Sequence, residues 1–175
     1  MHIKRNRILA VDPGTRELGV AILEGEDLLF YGVKTVQKRT TPQEVLWEIT
    51  RIIKQLIDYY APAILAIEKV LLIQKNASLL IVATDQIKAA ARKEGLAVYE
   101  YEPKLIRRSI CQTIKATKRE VARHLTRKYC ELNHYLNRTS KWEQLYYAKM
   151  FDAVALGLCC YRDITKPSDS INATA

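Results

Sequence analysis

Apolar residues crowd three short stretches near the start of the chain, at 7–12, 17–23 and 27–36, and turn residues separate them at Pro13-Gly14 and Glu24-Gly25-Glu26. Runs that short, rich in β-branched side chains and bounded by turn signals, predict three strands in an antiparallel meander. The period changes after Pro42. Val45, Leu46, Ile49, Ile52, Ile53, Leu56 and Ile57 repeat at helical spacing up to about Tyr60, with Thr41 placed as the N-cap. Pro62 breaks that helix, and 63–68 reads as a fourth strand. A helix over about 76–94, stopping before Gly95, a fifth strand over 97–101 and a helical segment opened by Pro103 follow. A further helix covers 117–131, a polar loop 132–143 and a last helix about 144–161. Strands followed by alternating strands and helices predict an α/β fold, a mixed sheet with helices on its faces. The helix between the meander and strand 63–68 makes that strand parallel to the first by the right-handed crossover rule.

The chain of 175 residues suits one domain, here expected over 1–165, with the polar tail KPSDSINATA (166–175) disordered. The apolar run around 70–73 is far too short to span a membrane, and no hydrophobic segment opens the chain. No membrane partner is expected. Cys111, Cys130, Cys159 and Cys160 form no CxxC pair and have no His at metal-ligand spacing, so reduced core thiols are expected rather than zinc. That fits the cytoplasm, or an organellar matrix after removal of a targeting segment.

Charge changes the picture. The net charge is +9, and Lys104 to Lys128 holds nine Lys or Arg against the single acid Glu120. Solvated helix faces usually mix both signs. An excess gathered in one stretch points to a polyanionic partner, nucleic acid above all, although a merely basic surface would read the same way.

The candidate chemistry lies in an echo. ILAVD (8–12) returns as ILAIE (64–68). Side chains alternate across a strand, so Ile8, Ala10 and Asp12 share one face, as do Ile64, Ala66 and Glu68. If the two strands are parallel neighbours, both carboxylates emerge at the same end of the sheet, where open α/β sheets bind ligands. Two close carboxylates repel unless a cation sits with them, and all-oxygen ligation favours Mg²⁺ or Mn²⁺. Taken singly, Asp12 also reads as a turn residue before Pro-Gly, and Glu68 as a partner of Lys69. Asp152 lies in FDAVALGL, a helix apolar nearly all round, where an acid needs a partner: an Arg, or the metal site of the other two acids.

Together these residues resemble a known family. DPGTRELGVAIL, AIEKV and FDAVALGL, with the proline-led basic segment PKLIRRSICQTIKATKREV carrying Arg107 and Lys118, resemble in order the motifs of the RuvC Holliday junction resolvases, within the ribonuclease-H-like nucleases. The resemblance runs from about residue 7 to 161. It implies a five-stranded mixed sheet, antiparallel among β1-β2-β3 and parallel among β1-β4-β5, in a homodimer. It further implies a structure-selective endodeoxyribonuclease that nicks paired strands of four-way DNA junctions, with a branch-migration motor as a possible partner. Two Mg²⁺ or Mn²⁺ ions per site, roughly 3.5–4 Å apart, would promote in-line water attack on a phosphodiester. Asp12 would bridge them, and Glu68 and Asp152 would hold one each. Lys118 would offset charge growing on the phosphate, while Arg107, Arg108, Lys115 and Arg119 would hold backbone phosphates.

The chain departs from the family at three places. Lys149 stands three residues before Asp152, where the family carries a fourth ligand, Asp or His. A charged ammonium cannot ligate, so one metal site is expected to be weakened or lost. Lys149 would instead contact the scissile phosphate, or mark an inactive binder of branched DNA. The segment QTIKATK lacks the family's glycines. Leu71 falls where an aromatic often wedges into the junction centre; it reads equally as a wedge or as a core leucine. An actin-like phosphotransferase would share the D-x-G-T-x-x-x-G loop but needs two such domains. A YqgF-type nuclease also shares the opening stretch, and AIEKV with the Arg107/Lys118 pair favours RuvC over it.

Overall fold

The computed structural model describes residues 7–36, 41–70 and 77–166. Leu71 and nearly all of the expected tail lie outside those residues. The meander forms as β1 (Arg7–Asp12), β2 (Glu17–Glu24) and β3 (Asp27–Thr35). Then come α1 (Pro42–Tyr60), β4 (Ile64–Glu68), α2 (Ala77–Lys93), β5 (Ala97–Tyr101), α3 (Pro103–Cys111) and α4 (Lys118–Lys128). A single 3₁₀ turn (Cys130–Leu132), α5 (Asn133–Leu136) and α6 (Lys141–Ile164) complete the described chain. The strand order is β3-β2-β1-β4-β5, antiparallel among the first three and parallel from β1 to β5, as expected.

Strand alternation sorts the core into two layers. Ile8, Ala10, Ile64 and Ala66 face α3, α4 and α6, whereas Leu9, Val11, Leu65 and Ile67 face α1 and α2. The first helix starts where the sequence places it. Thr41 and Glu44 form a capping box, with the Glu44 N–H donating to Thr41 Oγ1 at 3.3 Å, and Pro42 fills the first turn. Cys159 and Cys160 are buried, but Cys130 is exposed and so is no core thiol; all four cysteines are free. No described helix is long and apolar enough to cross a membrane.

The sequence misplaces the elements after α4. The helix expected to reach residue 131 ends at Lys128, its expected last residues pass into the 3₁₀ turn, and part of the expected loop folds as α5. The last helix starts three residues earlier than expected and ends three residues later. Its first turns lack a core-facing period, because they are held by rings: Tyr147 packs on Tyr135 with centroids 4.8 Å apart, and Tyr135 meets Tyr31 edge-on at 5.9 Å.

Candidate active site

Asp12 ends β1 and Glu68 ends β4, and the two strands run parallel with Ala10 beside Ala66 and Val11 beside Ile67. That register brings the two carboxylates out together. The third acid depends on how closely α6 can lie on the sheet, and small residues set that distance. A Cβ on Gly157 would fall 2.3 Å from Leu23 Cδ1 and 3.2 Å from Ala10 Cβ. Gly19, the antiparallel partner of Asp12, is more demanding: a Cβ there would sit 1.9 Å from the carbonyl oxygen of Lys149. The backbone of α6 therefore rests directly on the strand opposite Asp12. Lys149 and Asp152, three residues apart on one helix face, are thereby held over the end of β1.

The fourth group arrives from α4. Its N-terminus is fixed by a capping box in which Glu120 N–H donates to Thr117 Oγ1 at 3.2 Å and the Thr117 N–H donates to Glu120 at 2.7 Å. The Thr117 N–H and hydroxyl, both donating to the Glu120 carboxylate, hold it below its usual range. Lys118, the first residue of α4, is thus set in place, and its ammonium donates to Asp152 Oδ2. The preceding segment lacks glycine, and Gln112 itself takes the left-handed conformation (φ 59°) that closes α3.

Two ammonium groups and three carboxylates therefore meet. Lys149 Nζ lies 3.7 Å from Asp12 Oδ2. Asp152 pairs with a lysine, not with the arginine that its burial alone allowed. Lys69 pairs with Glu102 at 3.4 Å rather than with Glu68. Among the described residues, Glu68 forms no direct ion pair. Burial pushes the Asp12 carboxyl up to about 6; Lys149 opposes this, the Asp152 carboxylate adds to it, and Lys118 opposes it. Burial, reinforced by Asp12 and Asp152, lifts Glu68 to about 7 against the pull of Lys118 and Arg107. Desolvation would lower the Lys118 ammonium, but Asp152, Asp12 and Glu68 outweigh it and raise the lysine above its ordinary value.

The site opens through two adjoining clefts. One, of about 420 Å³, is lined by Asp12, Glu68, Lys118 and Lys149 with Arg16 and Lys69. The other, of about 390 Å³, is lined by Glu68, Asp152, Lys118 and Arg107 with Lys104. Asp12, Glu68, Asp152, Lys118, Arg107 and Lys149 are thus brought together. Arg108, Lys115 and Arg119 are exposed and line neither cleft. Arg16, Lys69 and Lys104 were not expected in the site from the sequence, where Lys69 was read only as a partner of Glu68, although each adjoins a motif: Arg16 follows DPGT, Lys69 follows Glu68 and Lys104 follows Pro103. Among the described residues, no three His, Cys, Asp or Glu side chains are gathered closely enough to hold a metal as they stand.

A family model for the crossover junction endodeoxyribonuclease RuvC matches residues 8–159. The RuvC of Hydrogenovibrio crunogenus is 35% identical over 121 residues, which cover 66% of this chain and 70% of that protein. The RuvC of Akkermansia muciniphila is 30% identical over 122 residues, 66% of this chain and 73% of its own. The Thermus thermophilus RuvC structure superimposes with a TM-score of 0.73 at 20% identity, over 90% of this chain and 95% of that one. The same protein in complex with a Holliday junction substrate gives 0.71 at 21% identity, over 91% and 95%.

Proposed function

This chain belongs to the crossover junction endodeoxyribonuclease RuvC family, and we propose on that premise that it nicks paired strands of four-way DNA junctions by in-line attack of water on a phosphodiester. The observation that carries the reading is the meeting of Asp12, Glu68 and Asp152 at one sheet end beside Lys118 and Arg107. A homodimer belongs to the same proposal, because two sites related by a twofold axis match the symmetry of a four-way junction. A branch-migration motor as partner rests on the family alone.

The donor set fits a divalent cation. Three carboxylates are hard oxygen ligands suited to Mg²⁺ or Mn²⁺, and two of them stand above the carboxylate range because burial penalises their charge and the neighbouring carboxylates add to it. Asp12 and Glu68 would hold the ion, with Asp152 joining once it turns from Lys118. Such an ion supplies Lewis-acid stabilisation of the phosphodiester oxygens. The remaining work falls to the chain's own groups. Lys118, released by Asp152, turns its ammonium toward the phosphate and offsets the charge that grows there. Arg107 and Lys104 hold the flanking backbone, positioning without reading sequence, while Arg108, Lys115 and Arg119 extend the basic surface outside the clefts.

Lys149 favours one cation rather than two. It faces Asp12 where the family has a ligand, and its ammonium supplies the second positive charge. The same ion pair supports a second reading, a branched-DNA binder without chemistry. An end-labelled four-way junction beside its linear duplex, incubated in Mg²⁺ and in Mn²⁺, decides between them. We expect symmetrical nicks in the junction alone, abolished by Asp12→Asn with binding retained. Salt-sensitive binding without nicks, with nicking gained on Lys149→Asp, would establish the binder. Equal handling of junction and duplex would overturn both.

A further inference from the structure

Beyond the clefts, the first two turns of α6 present an aromatic face that the site does not use. Trp142 and Leu145 are each 65% exposed. The Trp142 indole stacks on the Tyr146 ring, with centroids 5.1 Å apart and planes 20° apart. That pair is held from behind. Tyr146 Oη lies 3.4 Å from Thr35 Oγ1 on β3, and its ring meets Tyr147 edge-on. The Arg138 guanidinium covers the other side of Tyr147 and pairs with Glu143 at 3.3 Å. Glu143 is paired with Arg138 and Lys149 with Asp12, which leaves the exposed Lys141 as the charge beside the face, so that the face suits an anionic partner.

Its place on the helix ties it to the cleft. Trp142 precedes Lys149 by seven residues, so the two lie on one face of α6, about 10 Å apart along the axis. Leu145 lies between them. A strand leaving the cleft at Lys149 would cover that distance in about three stacked nucleotides. An indole can stack only on a base with a free π-face. Paired bases inside a duplex offer none, whereas bases that come unstacked at a branch do.

We propose that Trp142, backed by Tyr146, is a stacking platform for an unstacked base of the strand that leaves the cleft past Lys149. The proposal rests on the reading of the clefts as a DNA site. Trp47 and Trp142 are the two tryptophans of the chain, so Trp47→Phe leaves Trp142 as the sole indole reporter. This variant is titrated in EDTA, which prevents cleavage, with a four-way junction and with a duplex of the same sequence. Gel shifts of the same samples measure binding. We expect the junction to quench Trp142 emission and the duplex to leave it nearly unchanged. Trp142→Ala should weaken junction binding about five- to hundredfold, with Trp142→Phe restoring most of it and Trp142→Leu little.

Unchanged emission when the junction is fully bound would overturn the platform and leave the DNA site standing. Rescue by Leu as complete as by Phe would overturn it in favour of plain apolar contact. A shift from dimer to monomer on Trp142→Ala in sedimentation, with emission unmoved by DNA, would reassign the face to a second copy of this chain. Failure of the wild-type chain to bind the junction would remove both readings.

Discussion

Asp12 and Glu68 keep their protons well into the range where a solvated carboxylate has lost them, about 6 against 3.8 and about 7 against 4.5. Because the folded state binds these protons more tightly than the unfolded chain, their contribution to stability is complete below about pH 4. It falls as the pH rises through 6 and 7, and is flat above that. Asp12→Asn removes one such group without emptying its place. In EDTA at pH 8 it should therefore raise stability by about 1–3 kcal/mol, with little change at pH 4, as thermal unfolding at the two pH values would show. The same substitution should abolish cleavage, so at this residue stability and function oppose one another. Lys149 is the other decisive residue. Equilibrium binding of Mn²⁺, followed by the signal of the free ion, should give one ion per wild-type site and two in Lys149→Asp.

At the scale of elements, the capping box of α4 links local structure to chemistry. Thr117 and Glu120 satisfy the first N–H groups of the helix, and the bonds that do so fix Lys118 at its first position. Thr117→Ala should lower stability by about 1 kcal/mol in urea unfolding. Cleavage should fall by more than that loss explains, since a frayed first turn lets the Lys118 ammonium wander from the place where it would meet the phosphate. The box is legible in the sequence as T-x-x-E before an apolar period. The first turns of α6 are not. Tyr147 packs on Tyr135 of α5, which meets Tyr31 of β3, and Tyr146 reaches Thr35 of β3, partners more than ten residues away for which no local pattern stands.

For the whole molecule, the contact that matters most is α6 on β2. The carbonyl of Lys149 sits where a Gly19 side chain would be, and a closely packed interior has no slack to take up an added methyl there. Gly19→Ala should push α6 off the strand and cost about 3 kcal/mol or more. The activity that survives should be lower still, because Lys149 and Asp152 move away from Asp12 together. Denaturant midpoints and junction cleavage on the same preparations would measure both. Gly157→Ala, which meets the end of the Leu23 side chain rather than backbone, should cost less stability and spare the geometry of the site.

The strand order came with the family resemblance, whereas the sequence by itself determined the strands, the parallel run of β1 and β4 and the three candidate acids. Those features rest on short-range rules: alternation along a strand, the handedness of a crossover, and the cost of an acid in an apolar run. ILAVD and ILAIE carry the same alternation, so a parallel register between them is enough to make Asp12 and Glu68 emerge together. The basic segment was legible as a charge excess, and the family resemblance picked out Arg107 and Lys118 within it. Only the folded chain added Lys104, which lines a cleft with them, and set apart Arg108, Lys115 and Arg119, which line neither. Only the tertiary structure, too, decided that Lys149 faces Asp12 and Lys118 faces Asp152. Those pairings depend on how near α6 lies to β2, and that distance is set by Gly19 and Gly157, residues whose effect appears only once another element is packed against them.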